Sequence, residues 1–252
     1  MRYNNDEMRS FFENSFTADY LKYSDSSVRY AVTGISASCE ILEDILKKNA
    51  DAKTAALTEN ISAMCRRLMR MVRLGTALAD AASLDGGELD LIGTDEFIED
   101  FARCCNEVMS GKCTVYTSGK AGRAFRCSRE LLTFFMLSFV RRALLADGRC
   151  KKIYISSEAA DDKIRISVKV KRGRASVKSA DQEFSETLDK FADEIRCLFE
   201  EKLGLECEYT KDALSFLIPE AQTGGDITFE CRKTDFENGK YSDPSIMLGD
   251  IF

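Results

Sequence analysis

The 252-residue chain contains no histidine. That absence removes the usual general base near neutral pH, the commonest metal ligand and the side chain best suited to carrying a phosphoryl group on nitrogen. It excludes those mechanisms and proposes none by itself. Long apolar runs are missing too. The longest, Leu131 to Val140, is too short to span a bilayer and meets Arg141-Arg142. The start, Met1 to Asp6, is polar and lacks the apolar core of a signal peptide. A cytoplasmic protein without membrane insertion is therefore expected. No Cys-x-x-Cys pair occurs among the ten cysteines, and no histidine is present to complete a zinc site. Reduced structural thiols are expected, with no metal. A net charge of −6 offers no general attraction to nucleic acid, which is not expected as a partner.

What is present begins with heptads. Leu21, Val28, Val32, Ile35, Cys39, Leu42 and Leu46 share a seven-residue spacing. Leu57, Ile61, Met64, Leu68, Met71 and Leu78 continue it, with Gly75 in the one missing slot. Such seams belong to coiled coils and helical bundles. Lys48 to Asp51 is a short polar connection, so the spacing predicts an antiparallel helical hairpin. A narrow apolar stripe on two helices is not buried by those helices alone. Pairing two hairpins into a four-helix bundle would bury it, as would packing on the chain's own second half.

After Ser83 to Leu89 the texture changes to mixed helix and strand. Thr94 is placed to cap a helix carrying Phe97, Ile98, Phe101, Cys105 and Val108. Short strands fit Cys113 to Tyr116 and Ala124 to Arg126, and Ser128 is placed to cap an apolar helix to about Leu145. Lys152 to Ser156 and Lys163 to Val170 read as strands, the second with one buried face and one wet, basic face. Lys171 to Ser185 reads as a loop, and Leu188 to Phe199 as an amphipathic helix. Strands follow near Leu205 to Tyr209 and Ala213 to Ile218, with a further edge strand at Asp226 to Arg232. The tail is polar until Ile246-Met247-Leu248 and reads either as disordered or as a docking peptide. The expected divisions are a lead-in at 1–20, a hairpin at 21–84, a sandwich at 88–220 and a tail at 221–252. A lead-in this short leaves no room for a sensor domain, so input is expected to come through a partner or not at all.

Three segments, in this order, resemble the catalytic core of two-component sensor histidine kinases. Val28 to Ile35 leading to Glu40-Ile41-Leu42 is similar to the family's phosphoacceptor helix. Arg67-Leu68 through Leu84-Asp85-Gly86-Gly87-Glu88-Leu89 is similar to the end of its second helix and the exit from it. Leu137 to Leu144 lies where the family carries Asn-Leu-Leu-x-Asn-Ala. The resemblance covers roughly Phe16 to Glu220. It implies an α+β protein: a helical hairpin dimerising into a four-helix bundle, then an α/β sandwich of the Bergerat ATPase type. It also implies ATP-dependent histidine phosphorylation and transfer to a response regulator.

Carried over residue by residue, the functional positions are degenerate. The acceptor histidine falls on Ser26, whose hydroxyl is a poor nucleophile without a positioned base. Asp25-Ser26-Ser27 reads either as plain bundle surface or as a rewired acceptor. The magnesium-binding asparagine falls on Arg142, a group with donors and no oxygen ligand. The adenine-binding Asp-x-Gly-x-Gly box falls on Lys171 to Ala175 and keeps only Gly173. Phe184 to Leu188 lacks the glycines of the phosphate-cradling lid. Ser138, Arg142, Lys171, Gly173 and Ala175 thus form a degenerate pocket, in which no cofactor is expected. A counter-reading has Arg141, Arg142, Lys169, Lys171, Arg172 and Arg174 converging there on an anion, or forming a basic surface for an acidic partner.

The expected protein is a catalytically inactive, dimeric scaffold that binds a response regulator receiver domain or an active sensor kinase. Docking is placed on Ser26, Arg29, Val32, Met64, Leu68, Met71 and Leu78. The alternative is a divergent ATP- and magnesium-dependent kinase.

Overall fold

The heptads fold as two long helices, α1 (Ser15–Leu46) and α2 (Ala52–Ala82), which pack on each other. The computed structural model describes residues 10, 15–46, 52–82, 84, 89–109, 111–146, 152–171, 193, 196–210, 212–221, 242–249 and 251. The chain divides into two units, Met1–Ser83 and Leu84–Phe252. Helix α1 starts six residues earlier than its apolar spacing indicates. The expected link at Lys48 to Asp51 lies outside the described residues.

Inside the hairpin the apolar positions separate into two sets. Val32 and Cys39 of α1 are buried, as are Thr58, Cys65 and Met69 of α2. Ile35 and Leu42 of α1, and Leu57, Ile61, Met64, Leu68 and Met71 of α2, stay exposed. On α2 the contact face is therefore offset from the heptad seam between Leu57 and Met71, and that stretch of the seam faces away from the hairpin core.

The second unit starts with β1 (Asp90–Gly93), which runs straight into α3 (Thr94–Met109). Strands β2 (Thr114–Ser118) and β3 (Ala124–Cys127) lead to α4 (Arg129–Ala146). Ser128 caps α4 as expected, its hydroxyl accepting from Leu131 N at 3.4 Å. Strands β4 (Lys152–Ala160), β5 (Lys163–Lys171), β6 (Glu206–Tyr209) and β7 (Ala213–Pro219) complete the sheets. A helical segment occupies 196–203, and a short helix, α5 (Asp243–Leu248), follows.

Five strands form one sheet in the order β2-β4-β5-β7-β6, while β1 and β3 pair separately. Only β2 and β4 run parallel, because α4 supplies the crossover between them. Alternation sends Ile153, Ile155, Ile164, Ile166, Val168, Val170, Leu214, Phe216 and Ile218 to one buried face. Phe135 of α4 fixes the layer, meeting Phe199 at 5.8 Å and Phe216 at 5.5 Å between ring centroids. The fold class is α+β, as the sequence implies. The expected strand at Asp226 to Arg232 lies outside the described residues.

The tail is neither disordered nor free at Ile246-Met247-Leu248. These side chains are fully buried, and α5 packs against α3 and α4. Pro244 stands in the first turn, where its missing N–H costs nothing.

The loop between β2 and β3 is tied down by one carboxylate. Asp95 of α3 accepts from Ala121 N and Gly122 N, each at 3.1 Å, and from the Ser157 hydroxyl at 3.2 Å. Gly119 opens this turn at φ +77°, and a Cβ there would lie 2.2 Å from Ser157 O. Substituting Gly119→Ala meets both a left-handed backbone and a backbone oxygen that has nowhere to go. The expected loss is about 3 kcal/mol, read as a shift in the urea midpoint. A loss below about 0.5 kcal/mol would contradict the close approach.

Candidate functional site

In the hairpin unit, the seven expected docking positions behave differently. Val32 and Leu78 are 1% exposed, so they belong to the core and are unavailable to a partner. Met64, Leu68 and Met71 stand on the outer seam at 71%, 46% and 56% exposure. Ser26 and Arg29 lie within α1, and their side chains are outside the described residues. Sequence spacing did not separate the buried pair from the exposed three, because a heptad marks a face without stating what covers it.

In the second unit, several positions that the resemblance aligns with nucleotide contacts have other occupations. Ser138 is buried and donates to Phe134 O of its own helix at 2.8 Å, which occupies the hydroxyl locally. Arg141 is 1% exposed and donates to Met247 O at 2.6 Å. Its guanidinium therefore anchors the C-terminal helix. Arg142, which the resemblance aligns with the metal asparagine, is half-buried on α4 and carries a positive group with no oxygen ligand. Gly173, Ala175, Arg172, Arg174 and Phe184 to Leu188 lie outside the described residues.

Convergence of the basic residues on one anion site is corrected by the strand register. Lys169 and Lys171 alternate with buried Val168 and Val170, so they stand on the wet face of the sheet. Arg141 and Arg142 stand on α4, which covers the opposite face. A whole sheet lies between the two pairs.

Two described cavities open on this unit. One, of about 320 Å³, is lined by Asp95, Glu99, Thr117 and Lys120 beside the β2–β3 loop. The other, of about 360 Å³, lies on the wet sheet face over Ser156, Ser167 and Ser215. Neither is lined by Ser138, Arg142 or Lys171. Among the described residues no group of three or more Cys, Asp or Glu side chains is placed to hold a metal. No described helix is long and apolar enough to cross a membrane.

The thiols are structural in character. Burial pushes Cys104 up to about 11, and Cys127 and Cys207 to about 12, while Cys105 moves in the same direction. Their folded values exceed the ordinary thiol value, so the stability they contribute is fully present below the ordinary value and is lost as pH rises from there through the folded values. Urea midpoints are expected to hold steady to about pH 8.5 and to fall between about pH 9 and 11. A rising midpoint over that window would contradict the assignment.

A two-helix hairpin followed by a sandwich with one mixed five-stranded sheet is the fold of a histidine-kinase catalytic core. ShkA, solved at full length in complex with AMPPNP, matches with a TM-score of 0.55 and 13% identity, over 83% of this chain and 47% of its own. The chain thus spans about half the length of that protein. The Acinetobacter baumannii histidine kinase AdeS is 13% identical with a TM-score of 0.47, over 76% of this chain and 96% of its own. The histidine kinase ThkA, in complex with response regulator protein TrrA, is 16% identical with a TM-score of 0.49, over 86% and 64%. At such identities the likeness is one of fold. No family model matches the chain, and neither does any curated protein.

Proposed function

We propose that this chain is a histidine-kinase-like signal transduction protein that works by binding, as a cytoplasmic homodimeric scaffold without kinase activity. One observation carries the reading. Leu57, Ile61, Met64, Leu68 and Met71 form a continuous apolar seam in steps of four and three, left exposed by the hairpin's own packing. A seam of that period is buried when a second hairpin completes a four-helix bundle. A response regulator receiver domain or an active sensor kinase is the partner implied by the resemblance.

The residues at the catalytic positions support binding over phosphoryl transfer. Serine replaces the acceptor at Ser26, and no histidine exists to activate it. By residue type, arginine at 142 and lysine at 171, which the resemblance aligns with the magnesium asparagine and the adenine-binding aspartate, supply donors and no acceptor. These side chains do not fit ATP with magnesium.

The test is a calorimetric titration of the full chain with ATP and magnesium, followed by intact-mass measurement. The expected result is no saturable binding below about 1 mM and no mass increase of one phosphoryl group. Micromolar binding would overturn the inactive reading and favour the second one, a divergent ATP-dependent kinase, for which the retained fold is the supporting observation.

A further inference from the structure

The wet face of the five-stranded sheet carries aromatic and charged surface that the hairpin does not use, and Lys171, which the resemblance assigns to the degenerate pocket, stands on it. Register places Lys152 and Lys171 in one cross-strand row, with Tyr116, Tyr154 and Lys169 in the next. The tyrosine rings stack with centroids 5.5 Å apart, and Lys152 Nζ lies 5.6 Å from the Tyr116 ring centroid. Even so stacked, Tyr116 and Tyr154 remain 42% and 37% exposed. Beyond them a row of serines floors the 360 Å³ depression. At the far end, carboxylates are matched by basic groups: Glu158 pairs with Arg165 at 3.0 Å and Glu206 with Lys163 at 2.5 Å.

We propose that this lysine–tyrosine corner is a docking surface for a short acidic segment of a partner protein. Three features converge on that chemistry. The corner concentrates Lys152, Lys169 and Lys171 within two rows of a protein whose net charge is −6, so local complementarity favours carboxylates. Paired tyrosines offer ring edges and hydroxyls, the amphipathic surface enriched in protein interfaces. Charge also falls off across the face, ending in Glu206 and Glu208 on β6. A long polyanion would meet those carboxylates and the negative field of the whole chain, whereas a short acidic segment meets only the lysines. The tyrosines spend one ring face on each other, and Tyr116 has Lys152 over its ring, which leaves little area for stacking bases. The surface lies on the second unit, so it stands or falls separately from the hairpin seam.

The experiment uses the full chain and a fluorescein-labelled Asp/Glu-rich peptide of about ten residues, read by anisotropy at low and moderate salt. Saturable binding that weakens with salt is expected. Reversing two charges, Lys169→Glu with Lys171→Glu, is expected to weaken it about tenfold. Tyr154→Ala is expected to weaken it about threefold. Arg126→Glu, an exposed charge reversal on the separate β1–β3 pair, leaves it unchanged. Thermal melts of each variant confirm folding, since all the altered side chains are exposed. The proposal is overturned by non-saturable binding at low salt or by equal affinity in the lysine double variant or in Tyr154→Ala. Loss on Arg126→Glu, or tighter binding of an oligothymidylate of equal charge, would also overturn it.

Discussion

Deleting residues 242–252 is expected to abolish cooperative folding of the second unit or to lower its melting temperature severely. Ile246, Met247 and Leu248 are fully buried, and burying each such side chain contributes about 1.5–3 kcal/mol. Removing all three costs about 5 kcal/mol or more, comparable to the whole stability of an ordinary domain. The deletion also uncovers apolar surface on α3 and α4 and takes Met247 O from the buried Arg141 guanidinium. Losing that acceptor alone adds about 1–3 kcal/mol. A calorimetric scan of the truncated chain checks the expectation, with Arg141→Met as a milder companion that keeps the helix and removes the bond. A truncated protein melting within a few degrees of the full chain would show that the tail adds little.

The second large effect concerns the outer seam. Replacing Met64 and Leu68 together by glutamate is expected to convert a dimer to monomers while leaving helix content intact. Both side chains are exposed within the single chain, so charging them costs the hairpin little. In a symmetric bundle each charge is introduced twice and buried against apolar neighbours, which weakens association by at least about a hundredfold. Sedimentation equilibrium beside circular dichroism separates the two effects. Met69→Glu is the contrasting variant: it sits one step off the seam, is fully buried, and should melt the hairpin itself. A monomeric wild-type protein, or a double variant that still dimerises, would remove the bundle from the proposed function.

Much of the architecture was legible because its signals are local. Heptads identify the hairpin, strict alternation identifies Lys163 to Val170 as a strand, and Ser128 before an apolar run announces α4. Short elements were less legible. Strand β1 has four residues and no alternation long enough to register, so the sequence assigns Asp90–Gly93 to no element. Thr94 looked like a simple cap, yet its hydroxyl donates to Arg123 O at 2.7 Å and fastens α3 to the chain before β3. Helix α5 has six residues and no amphipathic period to reveal it. It takes its shape from the surface it covers.

The degenerate positions show the same division. Residue type at Ser26, Arg142 and Lys171 holds in any conformation: a hydroxyl and two cationic donors, with no imidazole and no carboxylate. Their surroundings do not. Arg141 and Arg142 are adjacent in sequence, yet one is buried beneath the C-terminal helix and the other is half-exposed. Lys171 appeared to belong with them and instead shares the sheet's outer face with Tyr154.

By itself the sequence determined what this protein lacks and which periods it carries. Without histidine, a phosphohistidine is ruled out by composition, and seven-residue spacing dictates long helices whatever they pack against. Only tertiary structure decided which side of each helix is spent on the hairpin, where the tail docks, and which lysines share a surface. Those outcomes depend on contacts between residues far apart in the chain, where burial and register, not local preference, select the partner.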